Sequence, residues 1–154
     1  MTRRHVIAVV VAVAAMSAAL LPPLWVSATG DEVYLEIEPV DPLSLVRGNY
    51  VDLRYDVDVD IPDGSDWDDA VYVVLTDDRP AVILRATVDR PDLAPGEFCL
   101  RGRARSDSVD FPQLEQFFVT PERGREIETN LRQYIAVVKV TGGSRAILVD
   151  LEPE

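Results

Sequence analysis

The chain begins with a long uninterrupted apolar run. No charged residue occurs between Val6 and Gly30. As a helix, the segment from Val6 to Val26 would be about 31 Å long, which matches the hydrocarbon thickness of a bilayer. The pattern therefore predicts a transmembrane anchor over residues 6–26, after a short N-terminus (1–5) and before a folded domain over residues 31–154.

The charges that flank the apolar run predict its orientation. Arg3 and Arg4 precede it, whereas Asp31 and Glu32 follow it. The positive-inside rule then places the N-terminus in the cytoplasm and the domain outside the cell membrane. Two alternatives stay open: a secretory signal cleaved near the small residues of 26–28, or a buried core helix. The anchor is preferred because the apolar core is longer than that of a usual signal.

The folded domain shows the two-residue alternation of β-strands. Residues 32–38 place Val33, Leu35 and Ile37 on one face and glutamates on the other. Residues 50–61 give the clearest alternation and predict one long strand, followed by an acidic loop over 62–69. The predicted inward set of this strand is Val51, Leu53, Tyr55, Val57, Val59 and Ile61. Further strand candidates are 71–76, 81–88, 98–105, 116–120, 134–141 and 146–151.

One short helix interrupts the strands. Thr120, Pro121 and Glu122 form a helix start, with a hydroxyl at the N-cap, proline at the first position and an acid near the positive end of the dipole. We expect this helix to reach about Arg132. The sequence thus predicts a mainly β fold, an antiparallel sandwich or small barrel with one short helix, behind a transmembrane helix.

Composition restricts the chemistry. Acidic residues outnumber basic ones by 27 to 15, so polyanionic nucleic acid is not an expected partner. The one histidine, His5, precedes the apolar run, and Cys99 is the one cysteine. Imidazole catalysis in the domain and a clustered zinc site are therefore excluded. We expect no catalytic set, metal or cofactor.

The acidic stretch from Asp56 to Asp69 raises the question of calcium. Its spacing begins like an EF-hand loop, but Ile61 stands at the glycine position and Trp67 at the closing glutamate position. It is not an EF-hand. The preferred interpretation is a solvated strand face and polar loop, and an irregular, weak cation site is the alternative.

Lys139 is the only amine side chain that could act as a general base. It would need desolvation and a nearby hydroxyl from Ser106, Ser108 or Ser144. Because it alternates with Val138 and Val140, a solvated lysine is the preferred interpretation. Paired carboxylates offer another hydrolytic route, but no active-site signature accompanies them.

Two features of the 98–105 strand can be interpreted from its alternation. Cys99 is expected to face a core, with an exposed thiol as the alternative. Arg101, Arg103 and Arg105 share one face, and the preferred interpretation is a solvated, charge-balanced sheet face. Pairing of this strand with the strand of Asp56, Asp58 and Asp60 would place opposite charges across a sheet.

The segment Arg47-Gly48-Asn49-Tyr50-Val51-Asp52-Leu53-Arg54-Tyr55 resembles the signature of the GDYXXLXY family. The matching positions are Gly48, Tyr50, Leu53 and Tyr55, whereas Asn49 stands where the family has aspartate. Asp41-Pro42, Arg47 and the 117–122 segment are also similar to the family, so the resemblance extends over most of residues 31–151.

The resemblance implies a membrane-anchored bacterial envelope protein without an established activity, associated with multi-spanning membrane proteins. The motif itself fits a turn entering a strand, since Gly48 tolerates a positive φ and Asn49 favours turns. Leu53 and Tyr55 would point inward and Tyr50 outward. A recognition surface that uses Arg47 and Tyr50 is the alternative.

We therefore expect a non-enzymatic, single-pass protein whose β-rich domain binds or assembles with a multi-spanning membrane protein, and which contacts lipid through its N-terminal helix. The alternatives are an envelope hydrolase that uses carboxylates or Lys139, and an acidic cation-binding surface module.

Overall fold

A computed structural model describes residues 3–38, 46–47, 50–55, 57–106, 108–142 and 144–154. The first element is helix α1, Arg3–Thr29. By length and composition it is able to cross a membrane, and it contains the predicted span. Pro22 and Pro23 lie inside it.

The C-terminal end of α1 packs on the domain. Val26 is only 2% exposed, and the helix contacts the last two strands of the chain. Gly30 ends the helix: its amide donates to the Val26 carbonyl at 2.8 Å. A Cβ at Gly30 would lie 2.7 Å from that carbonyl and 3.1 Å from the carbonyl of Val140. The close approach explains a glycine between helix and strand.

The described strands form three antiparallel sheets. In chain order they are β1 Asp31–Glu38, β2 Val46–Arg47, β3 Tyr50–Asp52, β4 Arg54–Tyr55, β5 Ala70–Thr76, β6 Ile83–Thr87, β7 Glu97–Ala104, β8 Val109–Asp110, β9 Gln116–Phe118, β10 Tyr134–Val140 and β11 Ala146–Pro153. The sheet orders are β11-β10-β1-β4, β2-β3-β9 and β6-β5-β7-β8. Together they form a curled half-barrel around one core, which confirms the mainly β prediction.

Most predicted strands are present within a residue or two of their expected ends. The long strand over 50–61 is wrong as a single element, because the ladder breaks at Leu53 and β4 ends at Tyr55. Its burial pattern nevertheless alternates: Val57 is buried, Val59 and Ile61 are half-buried, and Asp58 and Asp60 are exposed. Hydrophobic alternation reports burial, and hydrogen-bonded pairing is a separate condition. The two-residue strands β2 and β8 were not predicted.

The predicted helix is confirmed as α2, Pro121–Asn130, continued by a 3-10 turn over Leu131–Gln133. The Thr120 hydroxyl accepts from the Arg123 amide at 3.4 Å, which is the expected N-cap. Ile127 is fully buried and fixes the helix on the core.

The first and third sheets meet at the start of β6. The Ala81 amide donates to the Tyr34 carbonyl of β1 at 2.8 Å. The Arg79 guanidinium lies 4.2 Å from the centre of the Tyr34 ring and binds Glu152 of β11 at 3.0 Å. This junction bends the two sheets into one half-barrel wall.

Candidate functional site

The family-like motif lies at the centre of the small sheet β2-β3-β9. Register pairs Arg47 with Tyr50 between β2 and β3. Across the other edge of β3, Tyr50 pairs with Phe118 and Val51 with Phe117 of β9. Gly48 and Asn49 lie outside the described residues. The structure therefore joins the two segments on which the family resemblance rests, although almost seventy positions separate them in the chain.

Tyr50 and Phe118 form an aromatic pair on the face of this sheet opposite to the core. Their ring centres are 6.1 Å apart at an interplanar angle of 60°, an edge-to-face contact. Val51, the next residue, is fully buried, so alternation along β3 turns Tyr50 outward as predicted. Phe118 is 74% exposed. The pair is thus an apolar projection at the domain surface.

Leu53, in contrast to Tyr50, points into the core. Its side chain is 2% exposed. Its amide donates to the Glu115 carbonyl at 2.7 Å, which ties the motif to the segment that precedes β9. This bond replaces the ladder bond that is lost where the strand breaks between β3 and β4.

Tyr55 also binds the segment that precedes β9. Its hydroxyl donates to the Leu114 carbonyl at 2.6 Å. Its ring meets Phe111 edge to face, with centres 6.2 Å apart. Burial, together with the nearby Glu115 carboxylate, raises the pKa of Tyr55 well above its usual range, so this hydroxyl stays protonated as a donor. Leu53 and Tyr55 therefore both contact the segment that precedes β9 from the core side of the domain.

Glu115, the residue after Leu114, carries a half-buried carboxylate. Burial raises the pKa of Glu115, and the negative charges of Asp110 and Asp52 add to the rise, while Arg105 and Arg54 oppose it. Within the described residues, no group of three or more His, Cys, Asp or Glu side chains is arranged to hold a metal ion.

Lys139 has a carboxylate partner. It stands opposite Glu32 in the β1–β10 register, and its Nζ lies 3.8 Å from Glu32 Oε1. Its side chain is 24% exposed, so it is half-buried where the sequence predicts full solvation. The Lys139 side chain is thus engaged with a carboxylate of the neighbouring strand.

The arginines of β7 do not face Asp56, Asp58 and Asp60, so the pairing considered between those two segments is wrong. The neighbours of β7 are β5 and β8, not the 56–60 segment. Arg103 and Arg105 both bind Asp68 at 2.8 Å, and Arg105 also binds Asp110 at 2.6 Å. Asp58 and Asp60 are exposed, and Asp56 lies outside the described residues.

Asp68, which accepts two of these ion pairs, belongs to the acidic loop in which a weak cation site was the alternative interpretation. The two arginines lower the pKa of Asp68, the hydrogen bond from Arg105 being the main cause. The Asp69 carboxylate accepts from the Asp66 amide at 2.8 Å. Through these contacts the carboxylates of Asp68 and Asp69 stabilise the conformation of the loop.

Cys99 is buried, at 3% exposure, as preferred from its position. It pairs with Val74 of β5, on the face of that sheet opposite to Leu100. Beside this face, Glu97 of β7 binds Arg85 of β6 at 2.9 Å, and Arg90 of the loop between these strands donates to the Gly142 carbonyl. The thiol therefore belongs to a small second core.

Sequence reasoning missed the partners of the motif. The segment from Phe111 to Glu115 receives both Leu53 and Tyr55, yet its acceptors are backbone carbonyls. Backbone acceptors carry no side-chain signal. The apolar pair Phe111 and Leu114, spaced within a turn, was the one available indication that this segment is buried.

Fold and motif together define a β-rich half-barrel domain preceded by a long apolar helix, with the signature built into the wall of the domain. The chain belongs to the GDYXXLXY protein family, whose model matches residues 12–151. No curated protein and no solved structure matches the chain. The family assignment confirms the resemblance drawn from the motif.

Proposed function

We propose that this protein is a single-pass membrane-anchored assembly module whose extracytoplasmic domain binds a multi-spanning membrane protein. The observation that carries the proposal is the aromatic pair at the signature motif, formed by the exposed Phe118 and the half-buried Tyr50. Exposed aromatic side chains that are already held in place lose little conformational entropy on binding, and they are enriched at the centres of protein interfaces.

The location of the pair supports a binding role. Leu53 and Tyr55 fix the same segment from the core side through two backbone carbonyls, so the outward face of β3 is presented on a rigid support. Helix α1 would keep the domain next to the membrane. Strand β1 runs from this helix towards the motif, and Tyr55 pairs with Ile37 near its far end, so the aromatic pair would meet the parts of a multi-spanning partner that project from the membrane. The orientation follows from Arg3 and Arg4 at one end and the acidic domain at the other.

Co-purification tests the proposal. The full-length protein, with a C-terminal tag, is recovered from native membranes after mild cross-linking, and the proteins that accompany it are identified by mass spectrometry. We expect a multi-spanning membrane protein with the wild type, and at least a tenfold lower recovery with Phe118→Ala and with Tyr50→Ala.

Trp67→Ala is the matched control, because Trp67 is a large aromatic residue, 67% exposed, outside the motif sheet. It should leave partner recovery unchanged. Unfolding curves of the three variants separate lost binding from lost folding. Phe118 and Trp67 are exposed, and truncation of such side chains changes stability by only about 0.5 kcal/mol. Tyr50 is half-buried, so Tyr50→Ala counts as lost binding only where its unfolding curve shows a folded domain. Recovery of the tagged protein alone, or equal losses with Trp67→Ala, would contradict the proposal.

A further inference from the structure

The half-barrel wall has a gap beside β1. A cleft of about 210 Å³ opens there, between residues 57–58 on one side and residues 81–83 on the other. Its apolar lining consists of Leu35, Tyr55, Val57, Ala81 and Ile83. The carboxylates of Glu36 and Asp58 line the same cleft.

Backbone groups on both sides of the gap lack a strand partner within the described part of the chain. The ladder between β1 and β4 ends at Tyr55, and residues 57–61 make no backbone hydrogen bond to another described residue. On the other side, β6 is the terminal strand of its sheet and pairs with β5 alone. Buried backbone groups ordinarily pair, and Val57 is only 7% exposed.

Apolar side chains are exposed along and beside β6. Leu84 of β6 is 46% exposed, and Val82 and Val88, which flank the strand, are 53% and 48% exposed. Natural edge strands are usually protected by charged side chains, proline or β-bulges. A register shift against β5 occurs at Leu84, and the one charged residue within β6, Arg85, is bound to Glu97 across the sheet face. Residues 85–87 beyond the shift offer a regular edge to an added strand.

We propose that this gap binds an extended peptide segment of a partner protein by strand addition, with apolar residues on the side of the buried Leu35 and Val57 and alternate basic residues on the side of the exposed Glu36 and Asp58. The kind of peptide that would bind is inferred from the charge of the site. The two carboxylates attract arginine or lysine, and the net charge of −12 disfavours a second copy of this acidic chain. Main-chain bonds would supply affinity, and the alternating side chains would supply specificity. This site differs from the Tyr50–Phe118 face and does not depend on its role.

A synthetic peptide tests the proposal on the full chain in nanodiscs of neutral lipid. The probe is a nine-residue, end-blocked peptide of alternating valine and arginine. We expect at least tenfold tighter binding than for a peptide of the same composition in two blocks. We also expect slower amide hydrogen exchange in residues 57–61 and 81–87 when the alternating peptide is bound, and loss of binding when its backbone amides are N-methylated.

Charge variants provide the second arm. Glu36→Gln with Asp58→Asn should weaken binding by about three- to thirtyfold, from the loss of two surface charge pairs. Asp66→Asn with Asp89→Asn removes the same charge at exposed positions outside the cleft and should leave affinity almost unchanged. Equal binding of alternating and blocked peptides, equal effects of the two double variants, or no protection of the two segments would each overturn the proposal.

Discussion

The hydroxyl of Tyr55 donates a hydrogen bond of 2.6 Å to the main-chain carbonyl of Leu114, 59 residues later in the chain. The last tyrosine of the signature thus closes a long loop, and Leu114 itself is fully buried. A donor of this kind matters because an acceptor that is removed from bulk water costs free energy when it is left without a partner.

Tyr55→Phe should lower the free energy of unfolding by about 1–3 kcal/mol, since it keeps the ring and leaves a buried acceptor unsatisfied. Urea unfolding of the full chain in mild detergent measures the change. Tyr34→Phe is the control: its hydroxyl makes only an exposed 3.3 Å bond to Glu32, and its removal should cost less than about 0.5 kcal/mol. Equal losses in the two variants would show that the Tyr55 bond has no special weight.

Gly102 of β7 lies where the chain passes under the β8 segment. A Cβ there would lie 2.9 Å from the Asp110 carbonyl oxygen and 2.9 Å from a Phe111 ring carbon, and it would overlap a methyl of Val109. Gly102→Ala should therefore destabilise the domain by about 1–3 kcal/mol through overpacking. At Gly142 a Cβ would meet nothing within 4 Å, so Gly142→Ala should have little effect. Comparable urea midpoints for both variants would contradict this account.

Sequence reasoning predicted the strands well where burial and pairing coincide. In β1 every second residue is buried and the ladder with β10 is continuous, so alternation identifies this strand. In β10 residues 135–138 are all buried, and a short apolar run rich in β-branched residues identifies the strand instead. In residues 57–61 alternation persists without a ladder, because the chain leaves β1 and another segment, at Ala81, takes the bond to Tyr34. The alternation within one segment carries no information about which distant segment will pair with it.

The same distinction between local pattern and distant pairing applies to the candidate site. The opposite directions of Tyr50 and Leu53 were predictable from strand geometry. The contact of Tyr50 with Phe118 was not, because pairing between distant strands depends on the whole topology. The ion pairs of Arg105 were missed for a similar reason: Asp68 adopts a positive φ of 73° in the loop, which brings its carboxylate to β7.

The N-terminal helix should be retained in the mature protein. Helix α1 continues through the small residues 26–28 to Thr29, and Val26 is buried against the domain, so the helix end is part of the folded unit. Intact-mass measurement of protein extracted from native membranes should give the full 17.1 kDa. A mature protein that begins near Asp31 would show a cleaved signal instead.

The Cys99 thiol should react only when the domain opens. Burial raises its pKa, against smaller opposing effects of Ser144, Arg90 and Arg85, and the thiolate is the reactive form. We expect N-ethylmaleimide to modify Cys99 roughly a hundredfold more slowly in the native protein than in urea. Asp66→Cys in a Cys99→Ala background provides the exposed reference. Equal rates for native Cys99 and this reference would mean that the β6–β7 loop does not cover the thiol.

Stability should fall in acid partly through Glu97. The hydrogen bond from Arg85, with that from the Ala94 amide, lowers the pKa of Glu97 from 4.5 to about 2. A lowered pKa means that the folded state prefers the carboxylate, so this contribution is complete above about pH 4.5 and disappears as the pH falls through about 2. Glu97→Gln should therefore show a smaller loss of stability between pH 5.5 and pH 3 than the wild type.

Glu115 gives the opposite sign and a matched control. Its pKa is raised by burial, so the folded state prefers the neutral acid, and the associated stability is present at low pH and lost as the pH rises through the raised pKa. Glu115→Gln removes a gain that acidification brings, and the loss of stability between pH 5.5 and pH 3 should become larger than in the wild type. Urea midpoints at the two pH values test both variants together. Shifts of the same sign would show that one of the two carboxylates does not have the environment described, and the double variant would then identify whether the two sites are coupled.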